Sequence, residues 1–192
     1  QRLIKPVKVK SMKRFLLAVL VTVAASAAMP SAQAQNVQNF KIKSFTADYY
    51  LDRNQAKTAT LRTDEVITAE FPNFNQNHGI LRALPKSYRG HSVSLKINSV
   101  KDIRDFPLKY ETYEQNDNLV LKIGDKDTYV QGVQVYKISY DQKNVINFLD
   151  DHEEFYWDIN GDQWGQTFGE ITARIHIAPS LISSLQSRRE CY

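Results

Sequence analysis

Residues 171–177 read Ile-Thr-Ala-Arg-Ile-His-Ile, and this stretch decides the predicted fold class. Apolar residues occupy every second position, which is the pattern of a β-strand with one buried face. Pro179 follows closely, and proline ends a strand because it has no amide hydrogen to donate to a neighbouring strand. The segment therefore predicts a half-buried strand that ends before residue 179.

The same alternation recurs from Phe40 onward, without an amphipathic helical stripe of comparable length. It predicts further strands at residues 40–51, 61–71, 93–100, 108–114, 119–123, 133–140, 145–149 and 153–159. Short strands separated by turn signals, with no interleaved helices, are typical of an antiparallel sandwich. We therefore expect an all-β domain, an antiparallel β-sandwich that is immunoglobulin-like in its general architecture.

Turn-forming residues separate these strands. Residues 115–118 read Gln-Asn-Asp-Asn and predict a hairpin, because Asn and Asp tolerate left-handed backbone. Residues 123–127 predict the next corner. Asn160-Gly161 is a strong two-residue hairpin signal and predicts a turn between the strand at 153–159 and the strand at 171–177.

The N-terminal region has the order of a signal peptide. Lys13-Arg14 is followed by 14 mainly apolar residues, 15–28, and then by Ala32-Gln33-Ala34. A charged start, an apolar centre and an Ala-x-Ala site predict export and cleavage after Ala34. The apolar run is short for a membrane-spanning helix, which needs about 20 residues. The sequence thus predicts upstream residues at 1–11, a signal peptide at 12–34 and one domain at 35–192.

The charge distribution argues against nucleic-acid binding. The chain carries 25 basic and 21 acidic residues, and its formal net charge is +4. Six of the basic residues and none of the acidic ones lie in the first 34 positions, so the remainder has 19 basic against 21 acidic groups. A folded domain without a basic excess lacks the charge needed to neutralise phosphates.

Residues 72–91 form the longest segment without strand periodicity, and they contain His78 and Arg82. Loops on a rigid sandwich often display binding residues. One interpretation is that His78 and Arg82 hold an anion or a carboxylate. The other, which we favour, is that Gly79 supplies a turn and Arg82 pairs with a carboxylate of the framework.

Two acidic segments invite a metal interpretation, and neither supports it. In the run Asp150-Asp151-His152-Glu153-Glu154, adjacent side chains of an extended chain point to opposite faces, so a solvated loop is the better explanation. Residues 158–162 resemble the start of a calcium loop, but Gly161 is fourth rather than sixth. The sequence predicts no metal site and no cofactor.

Aromatic residues surround the second of these segments. Tyr156, Trp157 and Trp164 could stack on sugars or peptide groups at the rim of a sandwich. Aromatic side chains more often anchor cores. We expect Trp157 to lie in the core and Trp164 to be a partly exposed cover, and we take all three as candidate binding residues together with His78 and Arg82.

Motifs of nucleophilic and metal-assisted catalysis are absent from the sequence. It contains no Gly-x-Ser-x-Gly, Ser-x-x-Lys or His-Glu-x-x-His motif, and its one cysteine is Cys191. A binding module is therefore the leading hypothesis. The alternative is a hydrolase of cell-wall glycan or peptide that uses His78 or His152 with a nearby carboxylate, namely Asp150, Asp151, Glu153 or Glu154.

Two blocks of the sequence carry a family resemblance. The first is residues 77–85, Asn-His-Gly-Ile-Leu-Arg-Ala-Leu-Pro, and the second is residues 153–164, Glu-Glu-Phe-Tyr-Trp-Asp-Ile-Asn-Gly-Asp-Gln-Trp. In this order the chain resembles the N-terminal domain of the predicted membrane proteins grouped as domain of unknown function 2207. The matching positions are His78, Gly79, Arg82, Pro85, Tyr156, Trp157, Gly161 and Trp164.

The resemblance implies a signal peptide, an extracytoplasmic β-rich domain, one or more transmembrane helices and a cytoplasmic tail. It implies no catalytic role for any residue. No apolar span follows Pro179 in this sequence, so we interpret the chain as an N-terminal fragment, in which the single thiol of Cys191 lacks a partner. We expect an exported, membrane-anchored envelope protein whose domain binds an envelope component or a partner protein.

Overall fold

A computed structural model describes residues 39–183 and residue 185. The expected upstream residues 1–11, the signal peptide at 12–34 and Cys191 lie outside the described residues. In chain order the elements are β1 (Lys41–Arg53), β2 (Ala59–Phe71), β3 (Gly79–Pro85), β4 (Ser87–Tyr88), β5 (His91–Ser92), β6 (Lys96–Lys101), β7 (Tyr110–Gln115), β8 (Asn118–Gly124), β9 (Gly132–Lys143), β10 (Asn147–Phe148), β11 (Glu153–Glu154), β12 (Phe168–Ile177) and α1 (Pro179–Ile182).

The larger sheet has the strand order β12-β1-β2-β9-β6. Its three long central strands are antiparallel neighbours, and their burial alternates residue by residue, as period-two patterning requires. The buried face carries Phe45 of β1, Ile67 of β2 and Ile138 of β9, each no more than 1% exposed. This face forms one wall of the hydrophobic core.

The second wall is a smaller antiparallel sheet with the order β3-β8-β7. Ile80 and Leu84 of β3 and Leu121 and Ile123 of β8 belong to the same buried cluster as the inner face of the larger sheet. The core therefore lies between two layers of strands. The prediction of an all-β domain built from antiparallel sheets is confirmed.

One strand pair departs from the antiparallel expectation. β12 pairs with β1 in parallel, with Ile171 opposite Phe45 and Ile177 opposite Leu51. The reason is the connection from β9: residues 144–167 carry the chain back along the sandwich, so β12 starts beside the start of β1. A crossover of this length is what a parallel neighbour needs.

The segment at 72–91 contains a strand and is not the continuous loop that the sequence predicts. β3 occupies Gly79–Pro85, and its inward positions are Ile80, Arg82 and Leu84. Because the charged Arg82 occupies one of these inward positions, the alternation of apolar and polar residues was not recognised in the sequence. Gly79 does not form a turn, because it pairs with Gly124 in the β3–β8 ladder.

Other strand boundaries also differ. The strands expected at 145–149 and 153–159 are reduced to the two-residue pair of β10 and β11, and the strand expected from Val93 begins at Lys96. The prediction of a hairpin at Asn160-Gly161 is wrong, since residues 155–167 contain no strand. Gly161 has a positive φ of 76° and its amide donates to Asp158 Oδ1, but the turn joins no two strands.

The predicted hairpin at 115–118 is confirmed. β7 and β8 pair with Gln115 opposite Asn118, and the two residues between them, Asn116 and Asp117, have φ values of 48° and 58°. Two successive positive φ values match the turn that joins twisted antiparallel strands in two residues. Asn and Asp adopt this backbone more easily than other side chains, which explains their position here.

Candidate functional site

The predicted site residue Arg82 lies in the core, between the two sheets. It is 3% exposed and makes two hydrogen bonds to the carboxylate of Glu65 on β2, Nε to Oε2 at 2.9 Å and an Nη2 donor to Oε1 at 2.6 Å. Glu65 is 1% exposed. The pair therefore joins the small sheet to the large one, and Arg82 does pair with a framework carboxylate.

The remaining polar atoms of this pair are also satisfied. The Tyr140 hydroxyl donates to Glu65 Oε1 at 2.7 Å, and Arg82 Nη1 donates to the carbonyls of Ala83 and Asn160 at 2.9 and 3.0 Å. A buried ion pair is tolerated when additional hydrogen bonds occupy its other donors and acceptors. This network meets that condition, so its first role is structural.

Burial, together with the charges of the pair, shifts the pKa values of Arg82 and of the two neighbouring tyrosines. Burial alone would lower the pKa of Arg82, but the negative charge and hydrogen bonds of Glu65 outweigh it and hold that pKa above its usual value. Burial, and then the charge of Glu65, raise the pKa values of Tyr140 and Tyr49. Both hydroxyls are therefore protonated donors at any physiological pH.

The second family block meets the first block at Arg82. The Asn160 carbonyl accepts from Arg82 and also from Trp164 Nε1, the latter at 2.7 Å. The guanidinium carbon of Arg82 lies 5.7 Å from the Trp164 ring, and the Tyr49 hydroxyl donates to the carbonyl of Ile159. Gly161 is small enough for this approach, since an added Cβ would lie 3.0 Å from Arg82 Nη1. Two blocks about 70 residues apart thus form one interior cluster.

Trp157 and Tyr156 lie in a different place, which we call the aromatic corner and define as Tyr88, Arg89, Phe155, Tyr156 and Trp157. Trp157 stacks on Phe155 at 5.8 Å and contacts Tyr88 at 5.4 Å. Tyr156 is 43% exposed, and the guanidinium carbon of Arg89 lies 5.0 Å from its ring. Trp157 and Trp164 are both half-buried against the core, so the expected contrast between them is not seen.

His78 lies at the opposite end of the domain. Its Nδ1 is 3.2 Å from the Asp125 carbonyl and 3.0 Å from the Thr128 carbonyl, and since a carbonyl only accepts, Nδ1 carries the proton. Its ring lies 4.2 Å from that of Tyr129. These contacts tie the loop before β3 to the loop after β8. His78 and Arg82 thus belong to different clusters.

The acidic run lies far from His78. It follows β9, which begins opposite Phe71 and ends opposite Thr60, and a strand of 12 residues spans roughly 40 Å. His152 Nδ1 is 2.6 Å from Asp151 Oδ1, and both side chains are exposed. Within residues 39–183 and 185, no three His, Cys, Asp or Glu side chains are arranged so that they could hold a metal ion.

An open cleft of about 640 Å³ lies between the β4–β5 hairpin and the β7–β8 turn. Polar side chains line it, including Lys86, His91 and Glu114. None of the five candidate binding residues lines this cleft. Sequence reasoning therefore did not indicate it.

Sequence reasoning also missed Glu65 and Tyr140, which complete the Arg82 network. The signal was present in the alternation of β2, because Glu65 has the same parity as the inward residues Ile67 and Ala69. A charged residue at an inward position requires a partner. The sequence could not predict which residue is the partner of Glu65, since Arg82 belongs to another sheet.

We expect opposite results from two tyrosine substitutions on β9. Tyr140→Phe removes a donor to a buried carboxylate and should lower the free energy of unfolding by about 1.5–3 kcal/mol. Tyr136→Phe is the matched control: in the described part of the chain its buried hydroxyl has no hydrogen-bond partner, so its loss should be neutral or stabilising. Urea denaturation measures both, and equal losses would show that Glu65 does not need Tyr140.

Comparisons with known proteins add the following findings. A comparison with curated proteins gives no match. The solved structures that share a partial likeness with this chain include the following two. Native leukotriene A4 hydrolase from Saccharomyces cerevisiae is 11% identical at a TM-score of 0.38, over 59% of this chain and 18% of that chain. A second structure, native yeast leukotriene A4 hydrolase, is 6% identical at a TM-score of 0.38, over 63% and 18%. The chain spans about 18% of those chains, and a likeness at this TM-score carries no argument.

Within residues 39–183 and 185, no helix is long and apolar enough to cross a bilayer.

The family comparison covers most of the chain. The model of the family described as "Predicted membrane protein (DUF2207) N-terminal domain" matches residues 41–189. This match includes every described strand and both sequence blocks that meet at Arg82. The chain therefore belongs to the DUF2207 family of predicted membrane proteins, of which it contains the N-terminal domain.

Proposed function

We propose that this domain is a non-enzymatic binding module on the extracytoplasmic side of a membrane-anchored protein, and that it binds an envelope component or a partner protein. The observation that carries the proposal is the exposed apolar surface at the aromatic corner and the neighbouring β10–β11 hairpin. Phe148 is 75% exposed, and Leu149 and Tyr156 are each 43% exposed. Grouped apolar residues at a surface commonly mark an interaction site.

The aromatic corner has rigid support beneath its exposed ring. Arg89 lies 5.0 Å from the Tyr156 ring and 5.9 Å from the Tyr88 ring, and its Nη1 is 3.7 Å from Glu154 Oε2. Trp157 and Phe155 lie behind it, half-buried against the core. A fixed aromatic face beside a cation and a carboxylate suits the stacking of a sugar ring or a planar peptide group.

The position of the aromatic corner fits a membrane-anchored protein. Pro85 at the end of β3 accepts a hydrogen bond from Gln142, which lies opposite Leu61, so β4 and the corner lie near the end of the sandwich where β12 finishes. If chain that follows β12 anchors the protein, we expect the corner to face the membrane. The bound component would then be part of the inner envelope or an adjacent membrane protein.

Substitution at the corner tests this proposal. Tyr156→Ala, combined with Phe148→Ser, should weaken the sedimentation of the protein with isolated cell-wall sacculi or with vesicles of envelope lipids by about tenfold. Tyr129→Ala is the control, because this tyrosine is 46% exposed and lies beside His78, at the opposite end of the domain. Equal binding by the two variants would place the binding surface elsewhere.

The hydrolase hypothesis now depends on His152 with Asp151, which lie within hydrogen-bond distance on an exposed hairpin. Release of soluble fragments from cell-wall polymers by the purified protein, and its loss in His152→Ala, would favour an enzyme. Binding without turnover, unchanged by His152→Ala, would favour the module. Arg82→Ala does not separate these functions, because Arg82 is part of the core.

A further inference from the structure

The large sheet has an edge at β12 whose backbone groups are not paired with another described strand. β12 has 10 residues and lies at the end of the strand order, so its outer backbone groups have no strand partner among the described residues. Its ladder with β1 runs without a register shift from Glu170 to Ile177. Natural sheets usually protect such edges with bulges, short strands, proline or charged side chains, especially lysine.

The opposite edge of the same sheet has this protection. β6 has only six residues, a register shift lies between Ile97 and Ser99, and lysines occupy both ends, Lys96 and Lys101. β12 is longer and has no lysine; it carries the charged Glu170 and Arg174 on its outer face, and proline only after its end, at Pro179. Within the described residues, the β12 edge thus has less protection than the β6 edge and is free to pair with another strand.

The inner face of β12 is also uncovered. Ile171 and Ile175 are aligned with Phe45 and Tyr49 of β1, which are 0% and 1% exposed, and therefore face the core side of the sheet. Ile171 is nevertheless 44% exposed and Ile175 is 54% exposed. The apolar layer of the core thus continues onto β12, where no part of residues 39–183 and 185 covers these two isoleucines.

We propose that a second copy of this chain pairs with the β12 edge, antiparallel, about a twofold axis through Ala173. In this register Ile171 lies opposite the partner's Ile175, and the reverse pair forms on the other side of the axis. The two exposed isoleucines of each copy then form one continuous apolar row. A twofold axis requires a self-complementary surface, and this row meets the requirement.

The outer face of β12 supports the same register. Glu170 lies opposite the partner's His176 and diagonal to the partner's Arg174, so a carboxylate lies within reach of a guanidinium at both ends of the pairing. His176 is already oriented by Asp48, with Nε2 2.7 Å from Oδ1, and its ring stacks on Tyr50 at 4.4 Å. Opposite charges at diagonal positions of a strand pair are still within reach of long side chains and stabilise it. The strand is therefore complementary to itself on both faces.

Cysteine cross-linking tests the axis directly. In the full chain with Cys191→Ser, Ala173→Cys places two thiols at the axis, within the Cα distance of about 4.4–6.8 Å that a disulfide needs. Mild oxidation with copper phenanthroline should give at least about tenfold more covalent dimer than Ile171→Cys, whose two copies lie four residues apart, about 13 Å. Ile171 shares the strand and the face, so it controls for exposure.

A second variant measures the non-covalent dimer. Ile175→Lys puts a charge into the proposed apolar row, and sedimentation over a range of concentrations should show a shift from dimer to monomer. Because Ile175 is 54% exposed, the thermal midpoint at low concentration should stay unchanged, which excludes unfolding as the cause. A wild-type chain that is monomeric throughout, or equal cross-linking at 171 and 173, would overturn the proposal, and the former would point to another part of the chain covering this edge.

Discussion

Arg82→Met is expected to lower the free energy of unfolding by about 3–5 kcal/mol, because it leaves the buried Glu65 carboxylate without its cation. The substitution keeps most of the side-chain volume, so packing changes little. Glu65 retains only the Tyr140 hydroxyl, and the Asn160 carbonyl retains only Trp164. For a domain of about 150 residues, the midpoint of thermal unfolding should fall by roughly 10 °C.

The control for Arg82→Met is Arg104→Met. Arg104 also pairs with a carboxylate, Asp102, at 3.4 Å, but its side chain is 74% exposed. A solvated pair of this kind contributes about 0–1 kcal/mol, so this variant should be close to the parent. Similar losses from both substitutions would contradict the structural role that we give to Arg82.

A double variant separates the missing charge from the missing packing. Arg82→Met combined with Glu65→Leu removes both ions, and replacing a whole buried pair by apolar groups is often neutral or stabilising. We therefore expect the double variant to be more stable than Arg82→Met alone. A double variant that is less stable than the single one would show that the pair contributes through its geometry rather than through mutual neutralisation.

Gly79→Ala is expected to cost about 3 kcal/mol or more, since it combines a disfavoured backbone conformation with a direct clash. Gly79 has a φ of 140°, and an added Cβ would lie 1.8 Å from the carbonyl oxygen of Ile123. Gly124, opposite it, repeats the arrangement against the carbonyl of His78. The two strands approach closely at this point, and only paired glycines allow it.

Gly90→Ala separates the two causes. Gly90 also has a positive φ, 83°, but an added Cβ there would meet no atom within 4 Å. Its substitution should cost only about 1–2 kcal/mol, the strain of the left-handed backbone. Urea denaturation followed by circular dichroism measures both variants. If Gly79→Ala and Gly90→Ala cost the same, the close approach of β3 and β8 has no energetic weight.

Alternation along the chain determined the fold class because it depends on adjacent residues only. The long strands at 41–53, 59–71 and 132–143 and the turn at Asn116-Asp117 follow from local preferences, and these were predicted. The strand at 79–85 was missed for a local reason too, since an inward arginine breaks the apolar pattern. The hairpin predicted at Asn160-Gly161 was wrong because Gly161 joins no two strands; its lack of a side chain instead leaves room for Arg82.

By itself the sequence determined an all-β domain, its family, and the parity of residues such as Glu65 and Arg82. Tertiary structure alone decided that these two side chains face each other, that β12 lies parallel to β1, and that His78 and Arg82 belong to separate clusters. The physical reason is that a period of two tells which side of a strand faces inward but not which strand faces it. That choice depends on contacts between residues far apart in the chain, which no local pattern records.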